Sequence, residues 1–148
     1  MKYNLRIICR AANRLHKAGY SRSRAFIFAW AMEKQGAAVK VRGVTVGRRQ
    51  AALQHLLRYD PKDVSIRLER EPGNLYDANA VAVVAAVRGR GSYKMGYLGR
   101  PVAAVLAPLM DAGKAIRGGF GGVLGGYLPG MSFGMAVRVK LAAVPLGA

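Results

Sequence analysis

The stretch Leu68-Glu69-Arg70-Glu71-Pro72-Gly73-Asn74-Leu75-Tyr76-Asp77-Ala78-Asn79-Ala80-Val81-Ala82-Val83 reads as a strand, a polar loop and a second strand. Pro72 has no N–H to give a ladder, so the first strand ends there. Gly73, Asn74, Asp77 and Asn79 supply the turn chemistry of the loop, and the apolar run from Ala80 departs as the next strand. Tyr76 then sits on a loop between strands, as a flat ring with a hydroxyl handle, and Asp77 beside it is an acceptor. Exposed rings among Arg and Lys hold single nucleic-acid strands, at about 1 to 3 kcal/mol per stacked base.

Outward from this loop, the period-2 pattern predicts strands over residues 39–46, 64–70, 80–87, 93–98, 115–124 and 133–144. Six short strands imply a small barrel. Residues 49–57 have helical spacing, and residues 101–112 read as a helix opened by Pro101, with Pro108 in its last turns. Gly118, Gly119, Gly121, Gly122, Gly125, Gly126 and Gly130 are read as bulges and a wide hairpin tip. No Gly-Lys-Ser/Thr end or spaced fingerprint makes them a phosphate loop.

The first 37 residues have a different period. Leu5, Ile8, Cys9, Ala12 and Leu15 recur at helical spacing, while Arg6, Arg10, Arg14 and Lys17 fall on the opposite side as a basic stripe about 17 Å long. Gly19 suits a left-handed cap, and Ser21 or Ser23 can open a second helix running to about Gln35. That helix is apolar nearly all round, so the first helix, the downstream domain or another copy of the chain must cover it. The expected organisation is a basic helical hairpin over residues 1–37 and a β domain over residues 38–148.

The 148 residues carry a formal net charge of +17, and 52% of them are hydrophobic. A sizeable core and a polyanionic partner are both expected. Residues 1–50 hold 12 of the 24 basic residues against Glu33 alone, so the field is strongest there. One cysteine, Cys9, with His16 and His55 far apart, cannot form a disulfide or a four-ligand zinc site, and no metal or cofactor is expected. A membrane span is not expected, because the apolar run at residues 25–32 is far shorter than the roughly 20 residues a span needs. The composition fits a cytoplasmic protein, nucleoid-associated in a bacterium. The acid-free, Arg-rich start also resembles a mitochondrial presequence.

The residue 68–83 segment closely resembles the HIRAN domain pattern: a strand, Arg-Glu-Pro, an Asn-x-Tyr-Asp-x-Asn-Ala loop and a strand, then Gly96-Tyr97-Leu98 and a helix like residues 102–111. The resemblance covers residues 41–141. It implies an α+β fold with an OB-like barrel of about six strands and two short helices, preceded here by the helical hairpin. It also implies binding to the 3′ end of single-stranded DNA, in repair, replication or processing. On that resemblance Tyr76 stacks on a terminal base, Asp77 accepts from the 3′ hydroxyl, Asn74 shapes or contacts the pocket, Tyr97 lies beside the DNA and Arg100 meets phosphate. Asn79 is expected to bond its own loop. Val44-Thr45-Val46 stands where end-binding members carry another aromatic residue, which removes one stacking surface; Phe120 and Phe133 are candidates to replace it.

Catalysis finds little support. Glu69, Glu71 and Asp77, or Asp60 and Asp63, could hold Mg²⁺ for phosphodiester cleavage, but Glu69 and Glu71 alternate with Arg67 and Arg70 and are expected to form surface ion pairs. The expectation is a non-enzymatic module for single-stranded DNA, with RNA the other polyanion its charge allows. Arg6, Arg10, Arg14 and Lys17 would track phosphates. A helicase or nuclease would act in trans, and copies could associate through residues 22–35. The competing reading is a basic scaffold that binds polyanions without specificity.

Overall fold

In a computed structural model of the protein, which describes residues 3–34, 36–114, 116–126 and 128–141, helices precede and then alternate with an antiparallel sheet. The elements are α1 (Leu5–Lys17), α2 (Arg22–Lys34), β1 (Ala37–Lys40), α3 (Arg49–Leu56), a 3-10 turn (Pro61–Asp63), β2 (Val64–Arg70), β3 (Val81–Val87), β4 (Gly91–Tyr97), α4 (Arg100–Asp111), β5 (Ile116–Gly125) and β6 (Phe133–Leu141). The expected helix end at Gln35, the strand start at Ala115 and the strand and domain end beyond residue 141 lie outside the described residues.

The six strands form one sheet in the order β1-β6-β5-β2-β3-β4. The fold is therefore α+β, with the expected number of strands. The ladder does not close along its length. Its two edges touch at one antiparallel bridge, where the Arg42 N–H donates to the Tyr97 carbonyl at 2.7 Å and the Tyr97 N–H to the Arg42 carbonyl at 2.9 Å. The residue at the crossing must be small. A Cβ on Gly96 would lie 2.2 Å from the Arg42 carbonyl oxygen and 2.8 Å from Val41 Cγ1.

The strand expected over residues 39–46 is shorter than its β-branched composition promised. Ladder pairing stops at Lys40, and Gly43 and Gly47 turn the chain at φ 76° and 60°, a left-handed conformation that glycine adopts without penalty. The Val44-Thr45-Val46 segment is thus a turn between the bridge and α3, and Val46 is exposed.

Val81, Val83 and Ala85 on the inner face of β3 join Val41, Leu53, Met95, Leu106, Met135, Val137 and Val139 in one apolar cluster. The same cluster takes in Ile8, Ala11, Ala12 and Leu15 of α1 and Ala25, Ala29 and Met32 of α2. The hairpin is therefore seated on the β unit, α1 against α4, and α2 against β1 and β6. Deleting a fully buried side chain such as Leu15 from such a core costs about 2 to 5 kcal/mol.

On α1, Asn4 caps the first turn by accepting from the Arg6 and Ile7 N–H groups. Leu5 and Cys9, read as members of its apolar side, are exposed. Ala11 is buried instead, because the buried side centres on Ile8 and Leu15 and Cys9 lies about 100° round from Ile8. On α2, Ser21 Oγ accepts from the Arg24 N–H. Glu33, 5% exposed, accepts from the Asn4 N–H and so ties the two helices together. Ile27, 70% exposed, remains outside the packing.

Candidate nucleic-acid interface

The loop between β2 and β3 is organised by one side chain. Asn74 Oδ1 accepts from the N–H groups of Tyr76 at 2.9 Å and Asp77 at 3.1 Å, and its Nδ2 donates to Glu71 Oε1 at 3.2 Å. With both ends of the amide engaged, Asn74 shapes the loop. Asp77 Oδ1 accepts from the Asn79 N–H at 2.9 Å, while Oδ2 has no protein donor among the described residues. Asn79 thus bonds within the loop through its backbone. The Tyr76 ring projects from this frame 84% exposed.

Arg70 fixes the far side of the loop. It donates to the carbonyls of Ala80 at 2.8 Å and Ala78 at 3.1 Å, and pairs with Asp111 at the end of α4. That ion pair holds the Asp111 carboxyl below the ordinary carboxylate range. Arg70 was expected to pair along its own strand. Only Arg67 does so, with Glu69 at 2.7 Å, because the loop carbonyls and α4 claim Arg70.

Glu71 is the hub beneath the loop. Its carboxylate accepts from Lys94 Nζ, from the Tyr97 hydroxyl at 2.8 Å and from Asn74. The Lys94 ammonium is the main cause that holds the Glu71 carboxyl below its ordinary range, against the opposing effect of burial, and Glu71 in turn raises Lys94. This network fixes the Tyr97 ring, which also has the Lys94 Nζ at 5.5 Å and the Arg49 guanidinium at 5.7 Å from its centroid. Glu69 and Glu71 thus each have a cationic partner, and among the described residues no group of three or more His, Cys, Asp or Glu is placed to hold a metal ion.

These parts meet in a cleft of about 220 Å³ whose walls include Asn74, Tyr76, Asp77, Tyr97 and Arg100, the five motif residues singled out from the sequence. Arg42, from the bridge that joins the sheet edges, lines it as well. Sequence reading missed Arg42, because only the bridge brings it there. Arg100 donates to the Tyr76 carbonyl at 2.8 Å, and its other N–H groups have no protein acceptor among the described residues. Gly99 and Arg100 open α4, whose N-cap makes no side-chain hydrogen bond. The dipole of that first turn, in which Pro101 has no N–H to offer, favours an anion beside Gly99 and Arg100.

The cleft offers an exposed ring for a base, an open carboxylate oxygen for a donor, and two guanidinium groups with a helix start for phosphate. Arg6, Arg10, Arg14 and Lys17 are exposed along α1, but none of them lines this cleft. Phe120 and Phe133, half-buried against the core, do not line it either.

Fold and cleft together define a small α+β domain with an aromatic and basic cleft beside its β2–β3 loop. The HIRAN domain family matches residues 38–141, and the chain belongs to that nucleic-acid-binding family. A crystal structure of a protein from Lactobacillus plantarum is similar at 26% identity and a TM-score of 0.46, over 70% of this chain and 91% of that one. No curated protein matches the chain.

Proposed function

We propose that the protein binds single-stranded DNA at its 3′-hydroxyl end and acts as a binding module, not an enzyme, in DNA repair, replication or processing. The observation that carries this reading is the convergence of Tyr76, Asp77, Tyr97 and Arg100 on one cleft. In it the Tyr76 ring stacks on the terminal base, the 3′ hydroxyl donates to Asp77 Oδ2, and Arg100 and Arg42 take the last phosphate. A hydroxyl donating to a carboxylate forms a short, charge-assisted hydrogen bond. A 3′ phosphate has lost that donor and adds about −1.5 to −2 of charge beside Asp77. The discrimination therefore follows from charge and donor count.

The same reading takes the curled sheet as an OB-like barrel, with the Arg42–Tyr97 bridge as its seam. That seam carries Arg42 to the Tyr76 loop, so barrel and binding site depend on one crossing. Any helicase or nuclease step would be supplied by another chain.

End dependence is tested by competition. A labelled linear strand bound to the protein should be displaced by an unlabelled linear strand and much less by a circle of the same sequence, which has no end. Equal displacement would reduce the function to attraction for the backbone.

A further inference from the structure

A second cavity, of about 760 Å³, runs between α2, β1 and the start of α4. It shares Arg42 and Gly99 with the Tyr76 cleft, so the two lie side by side. Arg24, Lys40, Arg42 and Arg138 lie along it, with no acidic residue among its described walls. Tyr20 and Phe28 stand on its α2 side as an edge-to-face pair with centroids 6.0 Å apart, and the Arg24 guanidinium lies 5.8 Å from the Tyr20 centroid. A positive groove with aromatic rings along it is the common design for holding a single strand without sequence preference. Tyr20, Arg24 and Phe28 all precede residue 38, where the family match begins. The groove therefore exists only because the N-terminal hairpin is seated on the β domain.

We infer that this groove holds the body of the DNA strand whose 3′ end occupies the Tyr76 cleft. The nucleotides on the 5′ side of the terminus pass Arg42, set their phosphates against Arg24, Lys40 and Arg138, and rest bases on Tyr20 and Phe28. The inference builds on the end-binding reading, and its test is arranged so that the two fail separately.

The test measures anisotropy with 3′-hydroxyl strands from about 2 to about 10 nucleotides, a range that starts below and extends into the site sizes of about 4 to 16 nucleotides of comparable small domains. Wild-type affinity should rise with length and then level off. The triple variant Arg24→Gln, Lys40→Gln, Arg138→Gln should keep the affinity for the shortest strand and lose the gain with length. Its salt slope should fall by about 0.7 per charge removed, or about 2 in total. All three side chains are exposed, so the variant should fold as wild type does. The charge-matched control Arg58→Gln, Lys62→Gln, Arg88→Gln removes the same charge from exposed positions that line neither cavity and should keep the length dependence.

Equal losses in the two triples, or no loss in the groove triple, would overturn the groove. If the shortest strand shows no preference for a 3′ hydroxyl, the cleft reading fails instead, whatever the groove variants do. A benzophenone amino acid at Ile27, exposed on the groove wall, adds a positional readout. It should crosslink to nucleotides on the 5′ side of the terminal one, and crosslinking to the terminal nucleotide alone would contradict the proposed path.

Discussion

Replacing Tyr76 by alanine separates stacking from charge. The ring is 84% exposed, and the contacts that hold residue 76 in place come from its backbone: the N–H donates to Asn74 and the carbonyl accepts from Arg100. Alanine keeps both, so thermal or urea stability should stay within about 0.5 kcal/mol of wild type. Loss of one stacked base costs about 1 to 3 kcal/mol, which at 1.4 kcal/mol per tenfold is a loss of affinity of about 5- to 150-fold. Tyrosine carries no charge, so the salt slope should not change. Tyr76→Phe keeps the stacking face and should retain most of the affinity. Fluorescence anisotropy with a short 3′-hydroxyl strand, repeated at several salt concentrations, reads all of these quantities. Unchanged affinity in Tyr76→Ala, or a loss that appears only as a flatter salt slope, would refute the stacking argument.

Asp77→Asn keeps the Oδ1 acceptor for the Asn79 N–H and removes the carboxylate charge, so the preference for a 3′ hydroxyl over a 3′ phosphate should shrink by about tenfold or more; an unchanged preference would take Asp77 out of the site. Gly96→Ala drives a methyl into the Arg42 carbonyl at the seam and should destabilise the fold by about 1 to 3 kcal/mol or more, seen as a lower urea midpoint; wild-type stability would deny the close crossing. Glu71→Gln leaves Lys94 without its anionic partner and loosens Tyr97; at about 1 kcal/mol for a partly exposed pair, it should lower stability and weaken DNA binding together. The sign of the pH effect follows from the two shifts. The contribution of Glu71, whose value is lowered, is complete above about pH 4.3 and disappears as pH falls through the lowered value, while that of Lys94, whose value is raised, is complete below about pH 10.4 and disappears as pH rises through the raised value. Stability near neutral pH should therefore show no inflection from this pair, and an inflection abolished by Glu71→Gln would contradict the assignment.

The legible parts of the fold are those set by local pattern. β2 has the span its alternation predicts, Val64–Arg70, because Val64, Ile66 and Leu68 face inward while Ser65 and Arg67 face solvent. The loop residues were legible because Asn74, Tyr76, Asp77 and Asn79 bond among themselves over two or three positions. The support beneath them was hidden, because it depends on distant register. In β4 the pairing steps from Val83–Gly96 to Val84–Lys94, which leaves Met95 as an extra residue. Simple alternation places Lys94 and Tyr97 on opposite faces of β4, and the bulge brings both onto Glu71. Arg42 was hidden for a related reason, since a bridge between the two sheet edges has no signature in its own neighbourhood. The basic stripe of α1 is exposed, but periodicity alone could not show that a basic groove would form along α2.

The most direct test of the central claim compares one short single strand carrying a 3′ hydroxyl with the same strand carrying a 3′ phosphate, at near-physiological salt. A cleft that uses Asp77 as acceptor predicts tighter binding of the hydroxyl end by about 1.5 to 3 kcal/mol, the worth of a hydrogen bond to a charged group. Equal affinity for the two ends, or preference for the phosphate, would contradict 3′-end recognition and leave a basic HIRAN-family domain that binds nucleic acid through its backbone charge alone.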